Sequence, residues 1–412
     1  MKKNYIIILF LSFLSISLNA QVSKDTLHKK TTKIAKHSSN QTEVKYKRSS
    51  LFTLMLFNQS IPYSDEIRKT FINKPIPEKF NNHNLENVLI PSTTIKKNQS
   101  KIITNYLNEN DIAKKLISKW FNRNEKGEFN MQLIIQRGNY NATDLDIFIA
   151  KNTERGESML SDAGEELIGN TFVIVNDYKY TNKEEVAKKT NKFLTLVANT
   201  AGGQNVEAVA NLSQKAIHTA GKGYIIKTTS YLYRLIWNEE ITAIFYNDYW
   251  IDSTNFDANK KEAFDNSTIF KLEYIGSQNA WADIQSSTYS NKSNQELIQR
   301  ATIKATDKAI AKLQRKYDKF KTKSPIIGVD PVAAKIGLKE GVKKGDKFEV
   351  LEQVLNKKGK IVFKRVALVK VDKNHIWDNR YMANEENNTQ FEYTTFKGGK
   401  KVLVGMFLRQ LN

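Results

Sequence analysis

Cysteine is absent from the 412 residues of this chain. Its absence excludes thiolate catalysis, zinc–thiolate sites and iron–sulfur clusters, because each of these needs a cysteine sulfur. It also excludes disulfides, so an exported chain of this length must be held together by its apolar core. Histidine is scarce, with five residues, and none of them has the HExxH spacing of a zinc site. We therefore expect no metal site and no cofactor.

The sequence signatures of common enzymes are missing as well. There is no GxSxG nucleophile elbow, no serine followed by lysine three places later, no P-loop and no dinucleotide fingerprint. The one group of residues that suggests catalysis is an acidic cluster of Asp162, Glu165 and Glu166. A glycosidase needs two carboxylates on opposite sides of a cleft, whereas these lie on one helical segment. We expect no catalytic residue, and an envelope hydrolase that uses this cluster is the alternative.

Acidic residues are few relative to basic ones, which gives a formal net charge of +21. The excess is lysine, with 53 Lys against 11 Arg. Specific base recognition favours arginine, whereas a lysine-rich surface is typical of diffuse attraction to polyanions. We expect an anionic envelope polymer or an envelope protein as partner, and no specific nucleic acid. The alternative is that the lysines reflect an AT-rich genome and serve only solubility.

The N-terminal 20 residues have the pattern of a signal peptide. Lys2 and Lys3 precede an apolar stretch from Ile6 to Leu14, and Ala20 is the small residue at the expected cleavage site. Residues 21–50 follow with eight basic and two acidic side chains and no periodicity, so we expect a basic disordered arm. We therefore expect export to the periplasm, or peripheral association with the outer membrane.

Proline is rare, and four of the six prolines lie between positions 62 and 91. This clustering predicts an irregular connecting segment over 51–109, in which the run LFTLMLF is a buried strand or a turn of helix. An α/β core domain is expected over 110–325. Short strands and glycine turns predict a small β-barrel domain, SH3-like or OB-like, over 326–412.

Periodicity predicts the elements of the core. Among the predicted helices are those at 111–121, 143–168, 206–220 and 294–320. The strands are predicted at 130–136, 171–178, 224–237, 241–249 and 270–275, with 224–237 and 241–249 joined in a hairpin by the turn at 238–240. The fold class is therefore α+β, with a mixed α/β core containing antiparallel hairpins flanked by helices and a small C-terminal β-barrel.

A row of lysines runs along the predicted helix 294–320. Like charges four residues apart destabilise a helix slightly, so an anionic partner would relieve their repulsion. Residues 301–412 contain 25 basic and 12 acidic side chains, so polyanion contact should concentrate there. The alternative is an ordinary solvated helix face. The residues expected to bind a polyanion are Lys304, Lys308, Lys312, Lys316, Lys343 and Lys344.

Three stretches resemble a family of uncharacterised exported proteins of Bacteroidota: YNATDLDIFIAKNTERGESMLSDAGEELIGNTFVIVNDY, DPVAAKIGLKEGVKKGDKFEVLE and IWDNRYMANEE. The order of elements is also similar to that of the curli secretion-channel family and of flagellar assembly protein T. The segment GVKKGDKFEV resembles the small C-terminal β-domain of flagellar assembly protein T. Neither resemblance implies catalytic residues. Because catalytic signatures are missing and the first 20 residues have the pattern of a signal peptide, we expect a non-catalytic structural, assembly or binding role in the cell envelope. The second resemblance implies a secretion-channel-like oligomer, although this chain lacks the lipidated cysteine of the curli channels.

Overall fold

The computed structural model describes most of the chain from residue 49 onward. The predicted signal peptide, most of the basic arm and the helix predicted at 206–220 lie outside the described residues, as does most of the helix predicted at 143–168. The described residues are 49–92, 98–141, 165, 167–182, 223–285, 292–355, 361–383 and 391–411.

Seven α-helices and twelve strands are found among these described residues. The helices are α1 (Ser64–Asn73), α2 (Gln99–Glu109), α3 (Ile112–Trp120), α4 (Gln132–Asn141), α5 (Glu239–Ile244), α6 (Ala258–Asn266) and α7 (Asn294–Lys316). The strands are β1 (Ser49–Phe57), β2 (Phe80–Asn82), β3 (Leu89–Pro91), β4 (Thr171–Asn182), β5 (Gly223–Leu235), β6 (Leu272–Gln285), β7 (Ser324–Val329), β8 (Val332–Ala334), β9 (Lys347–Leu355), β10 (Ile361–Val371), β11 (Thr394–Gly398) and β12 (Phe407–Gln410).

Strands β1 to β6 form one mixed sheet with helices on both faces. The strand order is β2-β1-β4-β5-β6, and β3 also pairs with β1. Strand β1 runs parallel to β2, β3 and β4, whereas β4, β5 and β6 are antiparallel neighbours. On one face Phe52 and Leu54 pack among residues of α2 and α3. On the other face Leu51 packs with Ile310 of α7, and Met55 packs with residues of α1 and α7.

The prediction of an irregular connecting segment over 51–109 is wrong. Its LFTLMLF run lies inside the sheet as β1, which pairs with β4 over seven residues, and α1 and α2 follow it. The run is apolar at nearly every position because a strand covered on both faces has no solvated side. The prolines lie outside the helices and interrupt only the loops and short strands between them.

The predicted aromatic hairpin is also corrected. Its first strand is β5, but residues 239–249 form helix α5 and a following turn of π-helix (Phe245–Tyr249). The Asn238 side chain accepts a hydrogen bond from the Ile241 N–H, and Glu239 and Glu240 occupy the first helical turn. An amide cap followed by carboxylates stabilises a helix N-terminus, so these residues start a helix and not a turn. The antiparallel neighbours of β5 are β4 and β6, and neither is joined to it by a short turn.

The strand predicted at 130–136 is helical. Asn130 accepts a hydrogen bond from the Gln132 N–H, and α4 begins there. Ile134 is fully buried among residues of α2 and α3. A short apolar run does not distinguish a buried helical turn from a strand, and packing against these helices decided the outcome.

Helix α7 follows the predicted pattern closely. Ser293 and Glu296 form a capping box at its start, which satisfies free backbone N–H groups. Its predicted stripe is buried against the sheet and includes Leu297, Ala301 and Ala305. The small alanine side chains let the helix axis approach the strands closely. The helix ends at Lys316, and a 3₁₀ turn (Asp318–Phe320) follows.

The last ninety residues form a closed ring of six antiparallel strands. The order around the ring is β10-β11-β8-β7-β12-β9, and β9 pairs with β10. Its interior is filled by one cluster of apolar side chains, among them Phe348, Val369 and Phe396. The α+β fold with a C-terminal β-barrel is thereby confirmed, and the finer SH3-like or OB-like assignment stays a prediction.

Ion pairs join the barrel to the rest of the molecule. Arg315 of α7 donates to both carboxylate oxygens of Asp346 at 2.8 and 3.2 Å, and to the Gly341 carbonyl. Lys79, in the loop before β2, lies 3.2 Å from Glu340 in the 3₁₀ turn Leu338–Glu340. Asn379 of the predicted IWDNRYMANEE motif donates to the same Glu340. The motifs DPVAAKIGLKEGVKKGDKFEVLE, which contains Glu340, and IWDNRYMANEE, which contains Asn379, therefore meet where the barrel contacts the core.

Candidate polyanion interface

The predicted lysine row of α7 lies along the edge of β6 that pairs with no other strand among the described residues. Lys308 donates to the Trp281 carbonyl at 3.2 Å, and Lys312 donates to the Asn279 carbonyl at 2.7 Å. The hydroxyl of Tyr317 reaches the Ser277 carbonyl at 3.3 Å. Three carbonyl groups at alternate positions of the edge strand are therefore each hydrogen-bonded by a side chain on or next to the helix.

This match has a geometric cause. Two residues of a strand advance by about 6.8 Å, and four residues of a helix rise by about 6 Å, so lysines four apart meet every second carbonyl. Lysine at a sheet edge also discourages another strand from pairing there. The row therefore has a role within the molecule that the sequence analysis missed.

The row does not form one flat charged face. Lys304 is half-buried and lies near Asp378, a carboxylate whose pKa is below its ordinary value mainly because Arg380 donates a hydrogen bond to it. Lys308 lies over the Trp281 ring at 5.1 Å. Lys308, Lys312 and Lys316 remain exposed, so polyanion binding by the row stays a prediction.

The other two predicted residues belong to the barrel. Lys343 and Lys344 are exposed in the turn that leads into β9. The nearest acidic residue in sequence, Asp346, is already engaged by Arg315. The positive charge of this turn is therefore not cancelled by Asp346.

A further set of lysines is revealed only by the strand register. Lys347 of β9 pairs with Lys370 of β10, and Lys370 pairs with Lys397 of β11. We call these three residues the lysine ladder. Directly paired residues have their side chains on the same face of a sheet, and all three are exposed. The ladder is therefore an in-register row of three positive charges across adjacent strands of the barrel wall.

Little nearby charge compensates the lysine ladder. Asp372 lies 3.2 Å from Lys397, and its pKa is lowered mainly by a backbone hydrogen bond from Asn374 and further by Lys397. Within the described residues no carboxylate forms an ion pair with Lys347 or Lys370. Like charges placed directly opposite each other destabilise a sheet, so this arrangement costs stability that a bound anion would restore.

The residues of the catalytic alternative lie mostly outside the described part of the chain. Asp162 and Glu166 lie outside the described residues. Glu165 is described, and it accepts a hydrogen bond from the Tyr246 hydroxyl at 2.7 Å. In the ranges that the structure covers, no three His, Asp or Glu side chains are placed to hold a metal ion.

His83 belongs to the buried core. Arg137 donates to Nδ1 of His83 at 2.9 Å, and Nε2 donates to the Leu116 carbonyl at 3.0 Å. Burial, and then the charge of Arg137, hold the pKa of His83 well below its usual range. Burial also lowers the pKa of Arg137 to about 10, and its guanidinium stacks on the Trp120 ring at 4.2 Å. These contacts stabilise the packing of α3 and α4 on the sheet.

No family model matches this chain and no curated protein matches it, so the resemblances noted above stay predictions. Among the helices that the structure describes, none is long and apolar enough to cross a membrane.

Proposed function

We propose that this chain is a non-catalytic structural, assembly or binding component of the cell envelope that contacts an anionic partner through its C-terminal barrel. The observation that carries the proposal is the lysine ladder, together with Lys343 and Lys344 in the adjoining turn. The envelope location rests on the signal-peptide pattern of the first 20 residues.

The lysine ladder is better suited to electrostatic binding than to catalysis. Lysine presents a mobile point charge on a flexible stem, which fits a partner with repeated negative groups better than one rigid anion. Each exposed ion pair contributes at most about 1 kcal/mol. Affinity must then come from several lysines that act together, and it must fall as salt rises.

The test is binding of the purified mature chain to a soluble anionic polymer, such as dextran sulfate, at low and high salt. Replacing Lys347, Lys370 and Lys397 together by serine should weaken binding about tenfold, since three exposed contacts of about 0.5 kcal/mol sum to one factor of ten. The melting temperature should stay the same or rise, because the cross-strand repulsion is removed.

The matched control replaces three exposed lysines outside the barrel, Lys101, Lys126 and Lys271, by serine. It removes the same net charge but should change binding far less than the ladder variant. Equal losses in the two variants would show attraction by net charge alone. Binding that ignores salt would contradict the electrostatic proposal altogether.

A further inference from the structure

Three exposed aliphatic side chains lie at one end of the barrel. Val329 ends β7, and Leu403 and Val404 lie in the loop before β12, each about half exposed. We call these three residues the barrel tip. Val402, which precedes the loop pair, and Met406, which follows it after Gly405, are buried in the barrel core. Buried side chains therefore hold the loop at both ends, and the adjacent aliphatic side chains of Leu403 and Val404 are exposed to solvent.

The strand register places the loop of the tip beside β7. Phe407 pairs with Pro325. The Ile326 N–H donates to the Met406 carbonyl, and the Gly405 N–H donates to the Ile326 carbonyl, so the pairing continues past the end of β12. The Met406 N–H donates to the Leu403 carbonyl, so residues 403–406 form a turn that is held against Ile326 of β7. Leu403 and Val404 therefore form an apolar projection on a turn held against β7, the strand that ends at Val329.

Lysines surround this projection. Lys400 and Lys401 are exposed and are separated from the loop pair only by the buried Val402, and Lys397 of the ladder lies three residues before Lys400. Leu368 is half exposed and lies two residues before Lys370 on the same outward face of β10. The acidic residue next to the tip in sequence is Asp330. Exposed aliphatic groups bordered by lysines are the combination that favours an anionic lipid surface, where apolar groups enter the headgroup layer and lysines meet phosphates.

We infer that the barrel tip inserts into the headgroup region of an anionic lipid surface while the lysine ladder binds the lipid phosphates. This inference rests on the proposed function, because it names the anionic partner of the same barrel. A soluble polyanion would use the lysines but would gain nothing from Leu403 and Val404. A lipid surface uses both, since aliphatic insertion adds to the electrostatic attraction.

The experiment is co-sedimentation of the mature chain with vesicles of equal parts phosphatidylglycerol and phosphatidylcholine, and with vesicles of phosphatidylcholine alone. Binding to dextran sulfate is measured in parallel. Replacing Leu403 and Val404 together by serine should weaken binding to the anionic vesicles about tenfold or more, because several methyl and methylene groups no longer leave water. Binding to dextran sulfate should not change. The ladder variant should bind both partners less well.

The control replaces Ile72 and Ile102, exposed aliphatic residues on α1 and α2, by serine, and it should bind the vesicles as the wild type does. Near-ultraviolet circular dichroism checks that each variant is folded. Unchanged vesicle binding by the tip variant, with binding to dextran sulfate intact, would overturn the inference and leave the proposed function standing. A ladder variant that binds both partners as the wild type does would overturn the proposed function.

Discussion

The ion pair of Lys79 and Glu340 offers a sharp test of how the barrel is held on the core. Only 7% of the Lys79 side chain and 18% of the Glu340 side chain are exposed, and the charged atoms lie 3.2 Å apart. The second oxygen of Glu340 accepts hydrogen bonds from the Gly337 N–H and from Asn379, at 2.7 and 2.8 Å. Burial lowers the pKa of Lys79, and the charge of Glu340 partly opposes that effect.

Glu340→Gln keeps the shape of the side chain and removes its charge. Breaking a buried pair by neutralising one partner typically costs about 3 to 5 kcal/mol, because the remaining charge stays desolvated. The Nζ atom of Lys79 is itself buried, so we expect a loss within this range, about 3 to 5 kcal/mol of unfolding free energy. Adding Lys79→Met to the Glu340→Gln variant should recover most of this loss, since no buried charge remains and the glutamine oxygen still accepts the hydrogen bonds from Gly337 and Asn379.

The loss should depend on pH in a defined direction. The folded pKa of Lys79 lies below the ordinary value of 10.5. At pH values between the folded pKa of Lys79 and 10.5, the unfolded chain therefore binds more protons than the folded chain. The free energy of unfolding rises with pH across that interval. In the Glu340→Gln variant the folded pKa falls further, because the attraction that raised it is gone. The interval extends towards neutral pH, so the deficit relative to the wild type should shrink as pH rises.

Urea unfolding followed by circular dichroism, between neutral pH and about pH 10, measures both quantities. The control is Glu273→Gln, which breaks the exposed pair with Lys319, also 3.2 Å long, and should cost less than about 1 kcal/mol. Equal losses in the two variants would refute the argument from burial. A deficit for Glu340→Gln that stays constant with pH would refute the assignment of the cost to a charged Lys79.

Two further predictions concern the packing and the start of α7. Gly276 has φ +149°, and a Cβ there would overlap the Tyr317 hydroxyl. Gly276→Ala should therefore destabilise the protein by about 1 to 3 kcal/mol in urea unfolding. The loss should clearly exceed that of the control Gly405→Ala, where φ is +90° and nothing lies within 4 Å of the added Cβ. Equal losses would mean that backbone strain alone, and not the overlap with Tyr317, causes the effect. Ser293→Ala removes the capping hydrogen bonds that Ser293 shares with Glu296 and should lower the free energy of unfolding by about 1 kcal/mol in the same assay. Ser293→Asp keeps a capping oxygen and should be nearly neutral. An equal loss in both variants would contradict a capping role.

Several elements could be predicted because local pattern and tertiary packing agree. Helix α7 has an apolar residue every fourth position and a capping box, so both signals predict the same element. Strand β4 is rich in β-branched and aromatic residues and lies in the middle of the sheet. The predictions at 130–136 and 241–249 failed because a short apolar run fits a helix or a strand equally well. At 241–249 the cap at Asn238 was the signal that could have distinguished them.

The candidate site was predicted only in part, for a similar reason. Lys343 and Lys344 could be found because they are adjacent in sequence. Counting back along the hairpin from the pair Leu355 and Ile361 would have placed Lys347 opposite Val369, and only the register shift between Arg365 and Ala367 brings it opposite Lys370. Lys397 could not be placed in this way, because the pairing of β10 with β11 joins segments separated by a long connection.

The amino-acid sequence by itself determined the chemistry that this chain lacks, its positive charge, the position of α7 and the presence of a C-terminal strand-rich region. These follow from composition and from periodicity over neighbouring residues, which act locally. Tertiary structure alone decided that 49–57 lies inside the sheet, that the α7 lysines reach the carbonyl groups of β6, and that Lys347, Lys370 and Lys397 lie side by side. Each of these depends on contacts between segments far apart in sequence, and such contacts are set by the burial of the whole apolar core.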